Sequence, residues 1–231
     1  MEGTVDLSIL LLAKNEAENL RVLVPKLKSI LNKSTLRYEI IVVDAGSNDG
    51  TEPFCVENGA RFMIQTNPGF GAALGQGLRA CRGRRVLTMD ADLQHDPTMI
   101  PKLLRTDADI VIGSRWIGGF DIGLSFPRKV LSLTLNAVFS RCIGGNIKDT
   151  SSNFRVYKRH ILDDIEIEAR DFDAMQEILA KCTKRGCTVA EIPVPFTERH
   201  IGHSSISFPL FFLSYAQTFI RVLRIRLTYP H

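Results

Sequence analysis

Arg85-Val86-Leu87-Thr88-Met89-Asp90-Ala91-Asp92-Leu93-Gln94-His95 is the stretch that decides how this chain folds. A short apolar run ends abruptly in two carboxylates one residue apart, followed by an amide and an imidazole. An apolar run bounded by charge predicts a buried strand. Asp90 and Asp92 then stand at its carboxyl end, where open α/β sheets place their ligands. Residues i and i+2 of an extended chain share a face, so both carboxylates can address one point. Two carboxylates held together repel unless a positive charge lies between them. A hard divalent cation, Mg²⁺ or Mn²⁺, prefers oxygen ligands and can keep a bound phosphate as a further one. Taken alone, Asp-x-Asp is a common tripeptide and reads first as a solvated loop with helix-capping aspartates.

Outward from this stretch, strand and helix patterns alternate. Leu7–Ala13 is an unbroken apolar strand, and Leu20, Leu23, Val24, Leu27, Ile30 and Leu31 then recur at helical spacing. Pro25 falls in that helix, in its first turn or at a kink. Tyr38–Val43 predicts a second strand, ending in the turn-rich Asp44-Ala45-Gly46-Ser47-Asn48-Asp49-Gly50. Arg61–Gln65 predicts a third, followed by a glycine-rich helix start at Asn67. Asp96-Pro97 offers an N-cap and first-turn proline for a helix to about Leu104, and Asp109–Gly113 predicts a fifth strand. This rhythm implies an α/β fold, a mostly parallel sheet with helices on both faces. Further on, Pro127–Cys142 and Asp171–Arg185 read as helices, Asn153–Tyr157 and Thr188–Val194 as strands. The chain divides into one domain, residues 1–205, and an apolar appendage, 206–231.

Composition narrows the function classes. The 231 residues carry a formal charge of +4, too small and dispersed for a nucleic-acid surface. The densest basic cluster, Arg79, Arg82, Arg84 and Arg85 around Gly83, reads as a solvated corner. Five cysteines, odd in number and without Cys-x-x-Cys, suggest reduced thiols in a cytoplasmic compartment. The start of the chain shows no signal-peptide pattern. Ser204 to Ile220 is free of charge and aromatic-rich, and Arg221, Arg224 and Arg226 follow. Spanning a bilayer takes ~20 apolar residues, and Ser214, Gln217 and Thr218 interrupt this segment. A helix at the cytoplasmic face of a membrane fits it better, its arginines at anionic headgroups; packing on the domain or on a second subunit is the alternative.

Several polar groups fall at strand ends. Leu12-Ala13-Lys14-Asn15-Glu16 follows the first strand and Asp44 closes the second, so both converge with Asp90 on one sheet edge. A carboxylate there can accept from a ribose hydroxyl or a base N–H, although Asn15 and Asn19 are also respectable N-caps. Asn67-Pro68-Gly69-Phe70-Gly71-Ala72-Ala73-Leu74-Gly75 departs from Gly-x-Gly-x-x-Gly by one residue and follows the wrong strand for a dinucleotide fingerprint. Its glycines read better as a tight turn and close helix packing. Arg115 sits past the fifth strand, Arg128, Ser132 and Asn136 recur at four-residue spacing on an apolar helix, and Arg199 lies in a later loop. Arginine reads phosphate through forked hydrogen bonds.

The ordered set resembles the dolichol-phosphate mannosyltransferase-like branch of the family 2 inverting glycosyltransferases. Its markers run through nearly the whole chain: Asn15-Glu16, Val43-Asp44 with Asp49-Gly50-Thr51, Asp90-x-Asp92-Leu93-Gln94-His95, Gly113-Ser114-Arg115, Arg128 with Ser132 and Asn136, Asp149-Thr150 with Phe154-Arg155, and Phe196-x-x-Arg199-x-x-Gly202-x-Ser204. The resemblance implies a GT-A sheet and transfer of a hexose, mannose foremost, from a nucleotide sugar to a polyprenyl or dolichyl phosphate. It implies that Leu12, Lys14, Glu16, Val42, Asp44, Asp90, Ala91 and Arg199 hold the nucleotide sugar. Asp90, Asp92 and Gln94 would hold Mg²⁺ or Mn²⁺. Arg115 and Arg128, with Ser132 and Asn136, would receive the acceptor phosphate, and Asp92, Arg115 and Arg128 would be the catalytic groups. Three positions depart from the pattern: Ala45 for a second Asp, Lys14 for an aromatic residue, and Ser205 for a lysine. They leave a UDP-sugar donor (glucose or N-acetylhexosamine) open beside GDP-mannose. A sugar nucleotidyltransferase and a catalytically silent, membrane-docked binding protein are the readings from other classes. The first wants a glycine- and lysine-rich triphosphate loop near the first strand, where only Lys14 stands; the second has no need of Asp44, Asp90 and Asp92.

Overall fold

Alternation along the central strands builds two separate cores. A computed structural model describes residues 4–118, 126–196 and 208–228, without the side chains of 126–128 and 208–215. Strands β1 (Leu7–Ala13), β2 (Tyr38–Asp44), β3 (Arg61–Ile64), β4 (Arg85–Asp90), β5 (Ile110–Ser114), β6 (Arg155–Lys158) and β7 (Val189–Pro193) form one sheet in the order β3-β2-β1-β4-β6-β5-β7. Pairing is parallel except for β6, which runs antiparallel between β4 and β5. Ile9, Leu11, Val42, Leu87, Met89 and Val111 face one core, which α1 (Ala17–Leu31), α2 (Thr51–Glu57) and α4 (Ile100–Arg105) cover. Leu10, Ile41, Val43, Val86, Ile110 and Ile112 face the other, covered by α3 (Phe70–Ala80), α5 (Phe126–Ile143), α6 (Ala174–Lys184) and α7 (Phe208–Thr228). Leu20, Leu23 and Leu27 of α1 are wholly buried, each contributing about 2 kcal/mol of apolar transfer. The doubly covered, mostly parallel sheet is the expected one.

Local details differ from expectation for identifiable reasons. Pro25 lies inside α1, past its first turn. Neither Asn15 nor Asn19 caps that helix: Glu16 holds the N-cap position and Asn15 takes a left-handed φ of 56°. Asp96 does cap, accepting from Thr98 N–H at 3.0 Å, but Pro97–Met99 is a separate 3₁₀ turn before α4. The glycine-rich start of α3 serves close packing. Gly71 N–H donates to Arg170 O at 2.7 Å. A Cβ there would stand 2.9 Å from the Ala169 carbonyl carbon and 3.1 Å from Ala174 Cβ.

The second half of α7 belongs to the core. Val222 and Ile225 are buried against the α5–α6 layer, and Phe219 meets Phe139 edge-on at 6.4 Å. Arg221 pairs with Asp173, and Arg226 donates to the C-terminal carbonyls of α5 at Arg141 (2.8 Å) and Cys142 (3.1 Å), the favourable end of the helix dipole for a cation. Ile220, Leu223 and Leu227 stay exposed. Among the described residues no helix is long and apolar enough to cross a membrane.

Candidate active site

Register fixes the geometry of the sheet's carboxyl edge. Ala13 pairs with Asp44 and Leu12 with Asp90, so the two acids flank the end of β1 from neighbouring strands. Two inter-strand spacings put them about 10 Å apart. Asp44 is buried and shapes the loop that follows it. Its Oδ2 accepts from Gly46 N–H (2.9 Å) and Ser47 N–H (2.7 Å), and its Oδ1 from the Ser47 hydroxyl. Ser47 Oγ accepts from Asn15 N–H (2.7 Å), and Asp49 Oδ2 from Ala17 N–H (2.9 Å). The loops after β1 and β2 are thereby tied together around Lys14, which is exposed, and Glu16, which accepts from Asn19 Nδ2.

Asp90 ends β4 half-buried and Asp92 is buried two residues on. Asn153 Nδ2 donates to Asp90 Oδ1 at 2.9 Å, while Thr88 Oγ1 holds the Asn153 carbonyl at 2.7 Å. Leu93 then adopts φ 64°, which turns the chain so that Gln94 N–H reaches Asp92 Oδ1 at 3.2 Å. Among the described residues Asn15 and Leu93 are the two non-glycine positions with positive φ. Both border this site, and such conformations cost of order 1 kcal/mol unless the surroundings impose them. His95 is buried, stacked on Phe154 at 5.1 Å and edge-on to Phe196 at 5.4 Å. Burial above all, reinforced by the Arg115 charge and opposed by Asp92 and Asp149, pushes its pKa down to about 4. The ring is therefore neutral at physiological pH.

Across the same edge, Arg115 follows β5. Its Nε and Nη2 fork onto Asp149 at 2.8 and 2.7 Å, its backbone N–H donates to the same carboxylate at 3.0 Å, and Nη2 also reaches Ser151 Oγ at 2.9 Å. The guanidinium lies over the Phe196 ring, 5.2 Å from its centroid. Asp149 is wholly buried. Burial raises its pKa, but the Arg115 charge and hydrogen bonds outweigh that and hold it below its ordinary value. The turn carrying it is fixed from three sides: Glu191 of β7 accepts from the Lys148 and Asp149 N–H groups, buried Arg155 donates to Thr150 O, and Asn136 accepts from Thr150.

The structure thus brings Asp44, Asp90, Asp92, Gln94 and Arg115 to one edge with Leu12, Lys14 and Glu16 beside them. Three expected contact residues have buried side chains. Val42 is wholly buried in the core two residues before β2 ends, and Ala91 is buried beneath the acids, so neither side chain lines the edge. Asn136 is buried; its amide donates to Ser132 O and accepts from Thr150 N–H and Oγ1, so it fixes the Asp149 turn. Arg128 falls in α5, with its side chain outside the described residues, and Arg199 lies outside them altogether. Ser47, Glu191 and the site roles of Asn153 and Asp149 went unread in the sequence. For Asp149 and Asn153 the available signal was position, just ahead of Phe154-Arg155; for Ser47 and Glu191 there was none.

The profile described as Glycosyl transferase family 2 matches residues 8–166, from the second residue of β1 through β6, with Asp44, Asp90 and Asp92 inside the match. The chain belongs to glycosyl transferase family 2. Curated relatives agree with this membership. Polyprenol monophosphomannose synthase of Mycolicibacterium smegmatis is 34% identical over 212 residues, covering 84% of this chain and 78% of the relative. Dolichol-phosphate mannosyltransferase of Pyrococcus furiosus is 31% identical over 210 residues, covering 86% of this chain and 58% of its own length. This family 2 chain therefore spans somewhat more than half of the longer relative. Among solved structures, glucosyl-3-phosphoglycerate synthase from Mycobacterium tuberculosis, in complex with Mn²⁺, uridine diphosphate and glucosyl-3-phosphoglycerate, superposes with a TM-score of 0.72 at 21% identity, covering 98% of this chain and 81% of that one. That likeness is one of fold, and the chain is a glycosyltransferase with a GT-A-like sheet.

Proposed function

We propose that this glycosyltransferase moves a hexose, mannose foremost, from a nucleoside-diphosphate sugar to a polyprenyl or dolichyl phosphate, inverting the anomeric centre. The observation that carries this reading is the opposition, across one sheet edge, of the Asp90–Asp92 pair and an arginine locked in place by Asp149. The names of the two relatives support the acceptor class and the sugar. In this reading the Asp44 loop meets the nucleoside and Asp90, Asp92 and Gln94 meet the diphosphate. Among the described residues no cluster of three or more His, Cys, Asp or Glu side chains suits a metal. Two carboxylates and an amide fit a hard cation that keeps phosphate and water as its other ligands. Bound there, Mg²⁺ or Mn²⁺ supplies Lewis-acid neutralisation of the departing diphosphate.

The protein's own work is orientation. A lipid phosphate is already an anion at neutral pH, so no strong base is required. Arg115, with Arg128 and Ser132, holds that oxyanion in line behind the anomeric carbon, and Arg199 meets the donor phosphates. In-line displacement turns an α-linked donor into a β-linked product. Purified protein with Mn²⁺, dolichyl phosphate and a panel of GDP-mannose, UDP-glucose and UDP-N-acetylglucosamine should yield one β-linked glycolipid. No glycolipid with any donor, or an α-linked one, would refute the proposal.

We also infer a peripheral position at a membrane's cytoplasmic face, with residues 1–205 as the catalytic unit and 206–231 as an appendage whose exposed side turns to the lipid. Exposed Ile220, Leu223 and Leu227 on α7, and Val130, Leu133 and Val138 on α5, favour it, as do five free thiols.

A further inference from the structure

His95 poses an unanswered question within the candidate site. Its imidazole is 2% exposed, and neither ring nitrogen has a hydrogen-bond partner among the described residues. Leaving a buried polar group unsatisfied costs about 1–3 kcal/mol, and a phenylalanine between Phe154 and Phe196 would stack without that loss. Two observations point to the use of those nitrogens. Nδ1 lies 3.9 Å from Asp90 Oδ2, just outside hydrogen-bond range, while Asp90 Oδ1 is fixed by Asn153 at 2.9 Å. Asn153 is itself buried, and among the described residues its Oδ1 is also without a partner. The polar groups on both sides of one carboxylate are thus incompletely matched among the described residues.

We propose that His95 is a positioning residue for Asp90: when a divalent cation and a nucleoside diphosphate draw that carboxylate inward, Oδ2 closes onto the imidazole Nδ1–H. Asn153 holds Oδ1 from the opposite side, so the pair selects the rotamer that Asp90 offers to the cation. A closure of under 1 Å suffices, from 3.9 Å to about 3 Å. Groups that orient a metal-binding carboxylate in this way affect metal affinity by about 10–100-fold. The flanking rings have a second effect. The β-bridge between His95 and Phe196, with Arg115 over the Phe196 ring, links the Asp90–Gln94 turn to the arginine of the opposite wall. His95 therefore holds the two halves of the site at a fixed separation.

This inference rests on the proposed cation site, and its test separates the two. Mn²⁺ binding is measured by calorimetry in the presence of GDP and, separately, UDP, with ligand-free thermal stability as the control. Wild type should bind Mn²⁺ saturably. His95→Phe keeps the stack and should melt at or above the wild-type temperature, yet bind Mn²⁺ about 10–100-fold more weakly. His95→Gln retains a donor and should recover part of that loss. Should His95→Phe prove unstable, Asn153→Ala is expected to show the same loss of Mn²⁺ affinity from the other side of Asp90. Equal Mn²⁺ affinity in wild type and His95→Phe overturns the positioning role alone. Equal weakness of His95→Phe and His95→Gln overturns it too, because a retained donor would then recover nothing. No Mn²⁺ binding by wild type with either diphosphate removes the cation site and this inference with it.

Discussion

Replacing Asp149 by Asn keeps the shape of the site's most buried acid and removes its charge. Five donors converge on that carboxylate: Arg115 N, Nε and Nη2, Ser152 N, and Ser151 Oγ. An amide offers them one oxygen, and its own NH₂ meets the rest. Breaking a fully buried ion pair costs about 3–5 kcal/mol. Arg115 retains 20% side-chain exposure and can reach water, so the lower end, about 3 kcal/mol, applies. For a chain of this size each kcal/mol moves the melting point by about 2–4 °C, which predicts a fall of roughly 6–12 °C. The pH dependence follows from the sign of the shift. Asp149 is held below its ordinary 3.8, so its contribution is complete above that value and disappears as pH falls through the lowered one. The gap between wild type and Asp149→Asn in calorimetric melts should be flat between about pH 5 and 7 and narrow below about pH 4. Loosening of Arg115 should also reduce kcat/KM, by up to about 100-fold for a displacement near 1 Å. A melting shift under about 2 °C, or a gap that persists unchanged at the acid end, would refute the reasoning.

Other perturbations test separate parts of the structure. Asp92→Ala should lower metal-dependent turnover by at least about 100-fold while leaving circular dichroism unchanged; full turnover would remove Asp92 from the site. Gly71→Ala forces a Cβ onto the Ala169 backbone and should destabilise by about 1–3 kcal/mol, read from a urea melt, with no effect if the 169–170 segment shifts freely. Lys181→Met leaves the buried Glu177 carboxylate without the ammonium 2.6 Å away and should cost about 3–5 kcal/mol, which Glu177→Gln in the same chain should largely restore. Ile220→Asp with Leu227→Asp alters exposed side chains of α7 and should weaken sedimentation with anionic liposomes but not nucleotide binding; equal partitioning would count against the membrane-facing reading.

The succession of strands along the chain and the position of the acids were legible because both are local. Apolar runs such as Leu7–Ala13 and Val86–Met89 fix strands by their composition, and Asp44 and Asp90 mark the ends of such runs. Motif order along the chain then sufficed for the family. Less local features were not legible. The antiparallel insertion of β6 between β4 and β5 has no signature in a run as short as Arg155–Lys158, since strand direction is a property of pairing. Asn136 carried the pattern of a ligand and serves as a turn fastener, because a helix-face period cannot tell a side chain aimed at substrate from one aimed at the Thr150 turn.

The sequence by itself determined the doubly covered α/β sheet, the transferase family and the acids at the sheet's edge, since each follows from spacing along the chain. Tertiary structure alone decided which charges meet: that Arg115 is forked by Asp149, 34 residues away, that Glu191 on the last strand fixes that turn, and that His95 stands between two phenylalanines beside Asp90. The physical reason is that a buried charge or imidazole takes its protonation and its role from neighbours supplied by distant strands. No pattern within one segment specifies those neighbours.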